Sequence, residues 1–183
     1  MRRFAVLFSL VSLGSVCAAR AQTPVPKPDP ELAKLHMLVG HWAFEGEYKP
    51  GSWGPAGKMQ GEATYRFILN GYVLECRETE KVNEVEAHLL EIDAYDPVNK
   101  NITFAVYTDV GTSFSGVLTV SENTISWDGT VSAKGKLFRV RDLFVISDDR
   151  TSGTAKGEIS LDGKTWQPYF VAKLTKVKPA AKK

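Results

Sequence analysis

The sequence predicts an all-β fold, an antiparallel up-and-down barrel of about nine or ten strands preceded by one short N-terminal helix. Three observations support this class. From Trp42 onward, apolar side chains tend to recur at every second position, the period of a strand. Short turns rich in Gly, Pro, Asn and Asp separate the alternating segments. No long helical pattern interrupts them, which excludes parallel crossover units.

The N-terminal segment has the three parts of a secretory signal peptide. Two arginines precede an apolar run at residues 4–16, and residues 19–21 have the A-x-A pattern of a cleavage site. The run is shorter than the roughly 20 residues that a membrane span needs. We therefore expect residues 1–21 to be removed, giving an exported product, periplasmic or extracellular, without a membrane span.

Charge and cysteine content limit the remaining chain. Cleavage would leave 20 basic and 21 acidic residues, so no global field attracts nucleic acid, and none is expected as a partner. Residues 177–183 form a basic tail. Cys17 lies in the signal segment, so Cys76 has no partner for an intramolecular disulfide and is expected to be a buried, inert thiol.

The helix and the strands follow in order along a single barrel domain, residues 29–176. After a linker at 22–28, Asp29 is a candidate N-cap, Pro30 suits the first helical position, and leucines recur at helical spacing until Gly40. Asn70-Gly71 suits a type I′ turn between two antiparallel strands. The expected strands are 42–48, 59–69, 72–81, 86–95, 102–108, 114–120, 124–131, 137–146, 154–161 and 166–174.

The short connections favour a barrel over a sandwich, because sandwiches usually need long crossings between sheets. The opening segment, Leu35-x-x-Leu38-Val39-Gly40-His41-Trp42, resembles the start of lipocalin-type calycin barrels. With residues 96–97, 141–142, 148–150 and 162–166, the chain resembles an uncharacterised lipocalin-like family of secreted bacterial proteins over residues 31–176. The resemblance implies a calycin-like barrel, no established activity, and Arg139 or Arg141 packed across the Trp42 ring.

A barrel of more than eight strands leaves interior space, so a ligand cavity is expected. Filling a core is the commonest role of aromatic side chains, but those lining a cavity would bind an apolar or amphipathic small molecule. Trp53, in a Gly/Pro loop, is a candidate guard of the barrel mouth. The aromatic candidates on the predicted inner faces are Trp42, Phe44, Tyr65, Phe67, Tyr72, Phe104 and Trp127.

The strand at 137–146 carries charge on both faces, and its alternation does not decide which face is inside. If the even face is inside, Asp142 is a buried carboxylate that needs a donor. If the odd face is inside, Arg139 and Arg141 line the cavity and suit an acidic ligand head. A third reading is an exposed wall in which these groups pair with neighbouring strands.

His88 shares a strand face with Leu90 and Ile92, so it is a candidate for an inward-facing ligand-binding side chain; a core or rim histidine is the alternative. The three histidines lack the spacing of metal motifs, and no metal or cofactor is expected. The sequence thus predicts an exported barrel that binds a small apolar or amphipathic ligand. The alternatives are a barrel enzyme that uses Asp142, His88 or Tyr107, and a partner-binding domain whose barrel is filled.

Overall fold

The computed structural model describes residues 27–177, which form one closed, ten-stranded antiparallel barrel. Each strand pairs with the next along the chain, and the first pairs with the last, so the described sheet has no free edge. The strands are β1 (Gly40–Tyr48), β2 (Gly57–Ile68), β3 (Val73–Val82), β4 (Val85–Asp96), β5 (Asn101–Thr108), β6 (Ser113–Ser121), β7 (Thr124–Ala133), β8 (Lys136–Ile146), β9 (Ser152–Ser160) and β10 (Gln167–Val177).

The predicted all-β class, barrel closure and strand count are confirmed. Each strand begins and ends within three residues of its expected position. At the β2–β3 hairpin, Asn70 and Gly71 have φ values of 57° and 90°, the positive values that a type I′ turn requires. The Tyr72 amide donates to the Leu69 carbonyl across this turn, 3.2 Å away. The hairpin therefore forms where the Asn-Gly pair predicted it.

The predicted helix is a single α-helical turn, α1 (Pro30–Ala33), which continues as a 3₁₀ turn over Lys34–Met37. The Asp29 carboxylate caps it by accepting a hydrogen bond from the Glu31 amide at 2.9 Å. Leu32, Leu35 and Leu38 are essentially inaccessible to solvent and belong to the main core of the barrel. The helix thus covers the end of the barrel at which β1 begins.

Trp42 is fully buried beneath this helix, and its indole N–H donates to the Leu38 carbonyl at 2.7 Å. The cation over its ring is the Lys176 ammonium, 5.0 Å from the ring centroid, where Arg139 or Arg141 was expected. The reason is register: Lys176 on β10 pairs directly with Trp42, whereas both arginines lie on the outer face of β8. Arg141 instead stacks on Trp166 and donates to Glu158.

The predicted signal peptide (1–21), most of the linker (22–28) and the basic tail beyond Val177 lie outside the described residues. Over residues 27–177, no helix has the length and apolar character needed to cross a membrane. Cys76 is buried, and burial raises the pKa of its thiol well above the usual value. The prediction of a buried, inert thiol is consistent with this environment.

Candidate functional site

The interior of the barrel contains a cavity of about 200 Å³. Its size can be compared with an apolar cavity of about 150 Å³ that accommodates benzene. The helix covers one end. At the other end, the Trp53 ring lies about 6 Å from the rings of Phe114 and Tyr169, both of which line the cavity. The apolar part of the wall includes Phe44, Met59, Phe104, Val106, Phe114, Trp127, Phe144 and Leu174.

Four carboxyl groups lie on this otherwise apolar wall. Glu78 and Glu80 come from β3, Glu91 from β4 and Asp142 from β8. Strand register explains their common direction: Glu78 pairs with the cavity residue Leu89, Glu91 with Cys76, and Asp142 with Trp127. No Lys, Arg or His is among the described residues that line the cavity. The interior is therefore acidic without an internal cation.

Three of the carboxyl groups accept hydrogen bonds that cross the barrel interior between strands that are not neighbours. The Tyr48 hydroxyl on β1 donates to Glu80 at 3.0 Å, and the Trp127 indole N–H on β7 donates to Glu91 at 2.9 Å. The Tyr169 hydroxyl on β10 lies 2.9 and 3.0 Å from the two oxygens of Asp142. These bonds fix the direction of each acceptor.

The Asp142–Tyr169 contact depends on two local features of the backbone. The register of β10 shifts between Pro168 and Phe170, so Tyr169 is an extra, unpaired residue in a β-bulge. The bulge lets the consecutive side chains of Tyr169 and Phe170 both reach the interior. Gly157 on β9 makes the necessary room, because a Cβ atom there would lie 2.4 Å from both the Asp142 Oδ1 and the Tyr169 ring.

Two inward-facing carboxyl groups have no such donor. Glu78 faces the cavity and makes no hydrogen bond, with only acidic groups as its electrostatic neighbours. Asp93, two residues beyond Glu91 on the same face of β4, is fully buried, and neither of its oxygens has a well-placed donor. Its interaction with Glu91 requires a proton on one of the two groups, because two carboxylates cannot hydrogen-bond directly.

The pKa values of all these carboxyl groups are raised. Burial, followed by the charges of Glu80 and Glu91, raises the pKa of Glu78 to about 8. Burial raises the pKa of Asp142 to about 7 despite the Tyr169 hydrogen bond, which acts in the opposite direction. The pKa values of Glu80, Glu91 and Asp93 are also raised by burial. The interior therefore retains protons at pH values where exposed carboxyl groups are ionised.

The structure brings five of the eleven predicted site residues together. Phe44, Tyr65, Phe104, Trp127 and Asp142 all line the cavity. Three others contribute elsewhere: Trp42 is core beneath the helix, Phe67 packs against the His36 ring, and Tyr72 ends the β2–β3 turn. Ligand binding by any of them stays a prediction.

The remaining three predicted residues lie outside the barrel. Arg139 and Arg141 are exposed on β8, so its even face is inside, and Asp142 is an inward-facing, half-buried carboxylate whose donor is Tyr169. His88 is exposed on β4 and contacts Thr79 and Glu86. The inward direction considered for His88 is wrong because the odd residues of β4, including Glu91 and Asp93, face inside, and the exposed position fits the alternative of a rim histidine. Tyr107, named as an alternative acid-base residue, is also exposed.

Five further cavity residues were not predicted from the sequence: Tyr48, Glu78, Glu80, Glu91 and Tyr169. The alternation of Leu74 and Cys76 on β3 continues directly into Glu78 and Glu80, and following it would have placed both carboxyl groups inside. Pro168 within a predicted strand is a signal for a bulge and therefore for the altered direction of Tyr169. Glu91 had no comparable signal, because Leu90 and Ile92 make the opposite face of β4 look like the core.

The carboxyl groups do not form a metal site of the usual kind. Over residues 27–177, no group of three or more His, Cys, Asp or Glu side chains is arranged to hold a metal ion. The acidic groups are instead distributed around a cavity wall that also carries aromatic rings. This distribution suits contact with an extended molecule better than coordination of a small ion.

A family model described as "Protein of unknown function (DUF1579)" matches residues 27–176, and the chain belongs to this family. No curated protein matches the chain significantly. The chain is similar in fold to the crystal structure of Rv2717c from M. tuberculosis, with a TM-score of 0.61 and 12% sequence identity. The alignment covers 83% of this chain and 100% of the other. At this identity, the similarity shows the barrel fold alone.

Proposed function

We propose that this member of the DUF1579 family is a binding protein that holds a small amphipathic molecule inside its barrel. The observation that carries the proposal is the cavity itself, a space with aromatic and aliphatic walls and a few polar groups at defined positions. Ligand sites in proteins have this composition, in which apolar walls supply affinity and convergent polar groups supply orientation. The proposal includes a calycin-type relationship, as the opening motif before Trp42 implies.

The size of the cavity limits the ligand. A space of about 200 Å³ is smaller than typical sites for drug-sized molecules, which occupy roughly 300 to 1,000 Å³. It is larger than the cavity of about 150 Å³ that accommodates benzene. We therefore expect a ligand of about ten non-hydrogen atoms, built on one ring or a short aliphatic chain.

Export is part of the proposal. Its support is the charged, apolar and A-x-A sequence of residues 1–21. N-terminal sequencing of the protein purified from its host tests it, and an N-terminus near Gln22 is the expected result. A product that retains residues 1–21 would contradict the export proposal without affecting the cavity.

The test of ligand binding uses two neutral probes, toluene and tert-butylbenzene, with affinity measured by isothermal titration calorimetry. We expect saturable binding of at least one probe. Ala155 lines the cavity, so Ala155→Phe should fill part of it and abolish binding. Ala105 alternates with the inward-facing Phe104 and Val106, so Ala105→Phe adds the same ring to the outer face as a matched control.

The two variants separate cavity binding from other effects. Circular dichroism and the Tm establish that each variant retains the barrel. Binding that is lost in Ala155→Phe and kept in Ala105→Phe supports the proposal. Equal binding to both variants would place the probes on the outer surface and contradict the proposal.

A further inference from the structure

We propose that the ligand carries a positive charge: an organic ammonium cation whose head contacts Glu78 and Glu91 while its apolar body packs against the aromatic wall. This inference rests on the proposed binding function and specifies the ligand class. It goes beyond the apolar or amphipathic ligand that the sequence predicts, and it reverses the acidic head that inward-facing arginines would have favoured.

The described residues that line the cavity include acidic side chains and no basic ones. Glu78, Glu80, Glu91 and Asp142 face one space, and among the described residues no basic side chain shares it. Carboxyl groups elsewhere on the barrel have basic partners, such as Glu75 with Arg66 and Arg77. Buried charge without a counter-charge is strongly unfavourable, so these carboxyl groups either retain a proton or pair with a cation from outside the chain.

Two inward-facing carboxyl groups have no hydrogen-bond donor among the described residues. Asp93 is fully buried on the inward face of β4, outside the cavity lining, and neither of its oxygens has a well-placed donor; its polar neighbour is Glu91, which does line the cavity. Glu78 is half-buried and lines the cavity, where its electrostatic neighbours Glu80 and Glu91 are both acidic. Buried polar groups without partners are rare in native structures and frequently mark a site for a missing ion, water or ligand. A cation beside such carboxylates supplies the counter-charge that the cavity wall lacks.

The composition of the cavity wall suits an organic cation better than a metal ion. No acidic cluster with metal-binding geometry is present over residues 27–177. The carboxyl groups are interspersed with the rings of Tyr48, Tyr65, Trp127 and Tyr169. Aromatic faces attract alkylammonium groups through the ring quadrupole, and carboxylates beside them add direct charge attraction. The wall therefore has the two components of an ammonium site.

The test compares three probes with the same shape and the same number of non-hydrogen atoms. Phenyltrimethylammonium, tert-butylbenzene and benzenesulfonate each have a phenyl ring with a tetrahedral head, and their charges are positive, zero and negative. At pH 8 we expect the cation to bind about tenfold more tightly than the neutral probe, a difference within the range for desolvated cation–aromatic contacts. Benzenesulfonate is expected not to bind.

Glu78→Gln removes one charge with almost no change in shape. It should lower the affinity for phenyltrimethylammonium about tenfold and leave the affinity for tert-butylbenzene unchanged within a factor of about two. Glu45→Gln is the control, because Glu45 is exposed on the outer face of β1. It should alter neither affinity. Retention of the neutral probe by Glu78→Gln also establishes that the variant keeps its cavity.

The outcomes separate this inference from the proposed function. If tert-butylbenzene binds as well as the cation, or benzenesulfonate binds better, the cation inference is wrong and the binding function stands. If toluene binds but none of these three probes does, the cation inference is wrong and the binding function stands; if toluene does not bind either, the binding function itself is wrong. A loss of cation affinity in Glu78→Gln alone supports both.

The affinity for the cation should also depend on pH, because phenyltrimethylammonium keeps its charge at every pH and binds best to ionised carboxylates. The affinity should rise between pH 6 and 9, since the pKa of Glu78 is about 8 and that of Asp142 about 7. The affinity for tert-butylbenzene should not rise. The titratable groups that face Glu78 are Tyr48, Tyr65, Cys76, Glu80, Glu91, Asp142 and Tyr169.

Discussion

Glu75 and Glu78, three residues apart on β3, face opposite sides of the sheet and have pKa values shifted in opposite directions. Glu75 faces outward beneath Arg66 and Arg77, whose guanidinium groups donate hydrogen bonds at 2.8 to 3.2 Å. These bonds lower the pKa of Glu75. Glu78 faces inward among acidic and aromatic groups, and burial raises its pKa to about 8. The same residue type on one strand thus has a favoured charge on one face and a disfavoured charge on the other.

The difference lies in what covers each group. Glu75 is only 6% exposed, so it is as hidden from solvent as many core residues. Its cover consists of two arginine side chains with their own access to water, each more than 60% exposed. Glu78 is surrounded by groups that cannot neutralise it. Hydrogen-bond donors and counter-charge, rather than burial alone, therefore decide whether a carboxylate is stable in this barrel.

The largest effect on the free energy of unfolding should come from Glu78→Gln. Because the folded pKa of about 8 exceeds the ordinary value of 4.5, the wild type loses stability as pH rises between these values. The variant avoids this loss, so its free energy of unfolding should exceed that of the wild type by on the order of 3 kcal/mol at pH 9. The difference should vanish near pH 4. Urea unfolding at both pH values measures it, and equal stability at pH 9 would contradict the raised pKa.

A smaller effect is expected from Tyr169→Phe, which makes Asp142 resemble Glu78 by removing its only donor. The pKa of Asp142 should rise further above about 7. The variant should lose about 1 to 2 kcal/mol of stability at pH 8, the usual consequence of an unsatisfied buried group. Carboxyl carbon NMR titration follows the pKa directly. An unchanged titration of Asp142 would show that the hydroxyl does not stabilise its charge.

The smallest effect is expected from Glu75→Gln on the outer face. The lowered pKa of Glu75 contributes stability above the ordinary glutamate pKa, and that stability is lost as pH falls through the folded value. Because both arginines are solvent-exposed, the variant should lose only about 0.5 to 1 kcal/mol at pH 7. Added salt should reduce the difference. A gain in stability at pH 7 would place Glu75 in the same class as Glu78.

The sequence predicted the fold because strand period, turn residues and a helix cap act locally. Asn70-Gly71 and Asp29 each have the predicted conformation. The site was only partly predictable. Its polar residues depend on which face of each strand is inside, and on β4 the apolar Leu90 and Ile92 indicated the wrong one. The direction of Tyr169 depends on a bulge, which breaks the alternation on which the prediction relied.

Trp53, on the loop between β1 and β2, lies at the end of the barrel opposite the helix, against Phe138 and the cavity residues Phe114 and Tyr169. The opposite end is covered by a helix whose leucines are part of the core. A solute that enters past the indole has to displace these ring contacts and must displace them again on leaving. Residence time would then be governed by opening of the loop, so a smaller side chain at this position should accelerate release more than it weakens equilibrium binding.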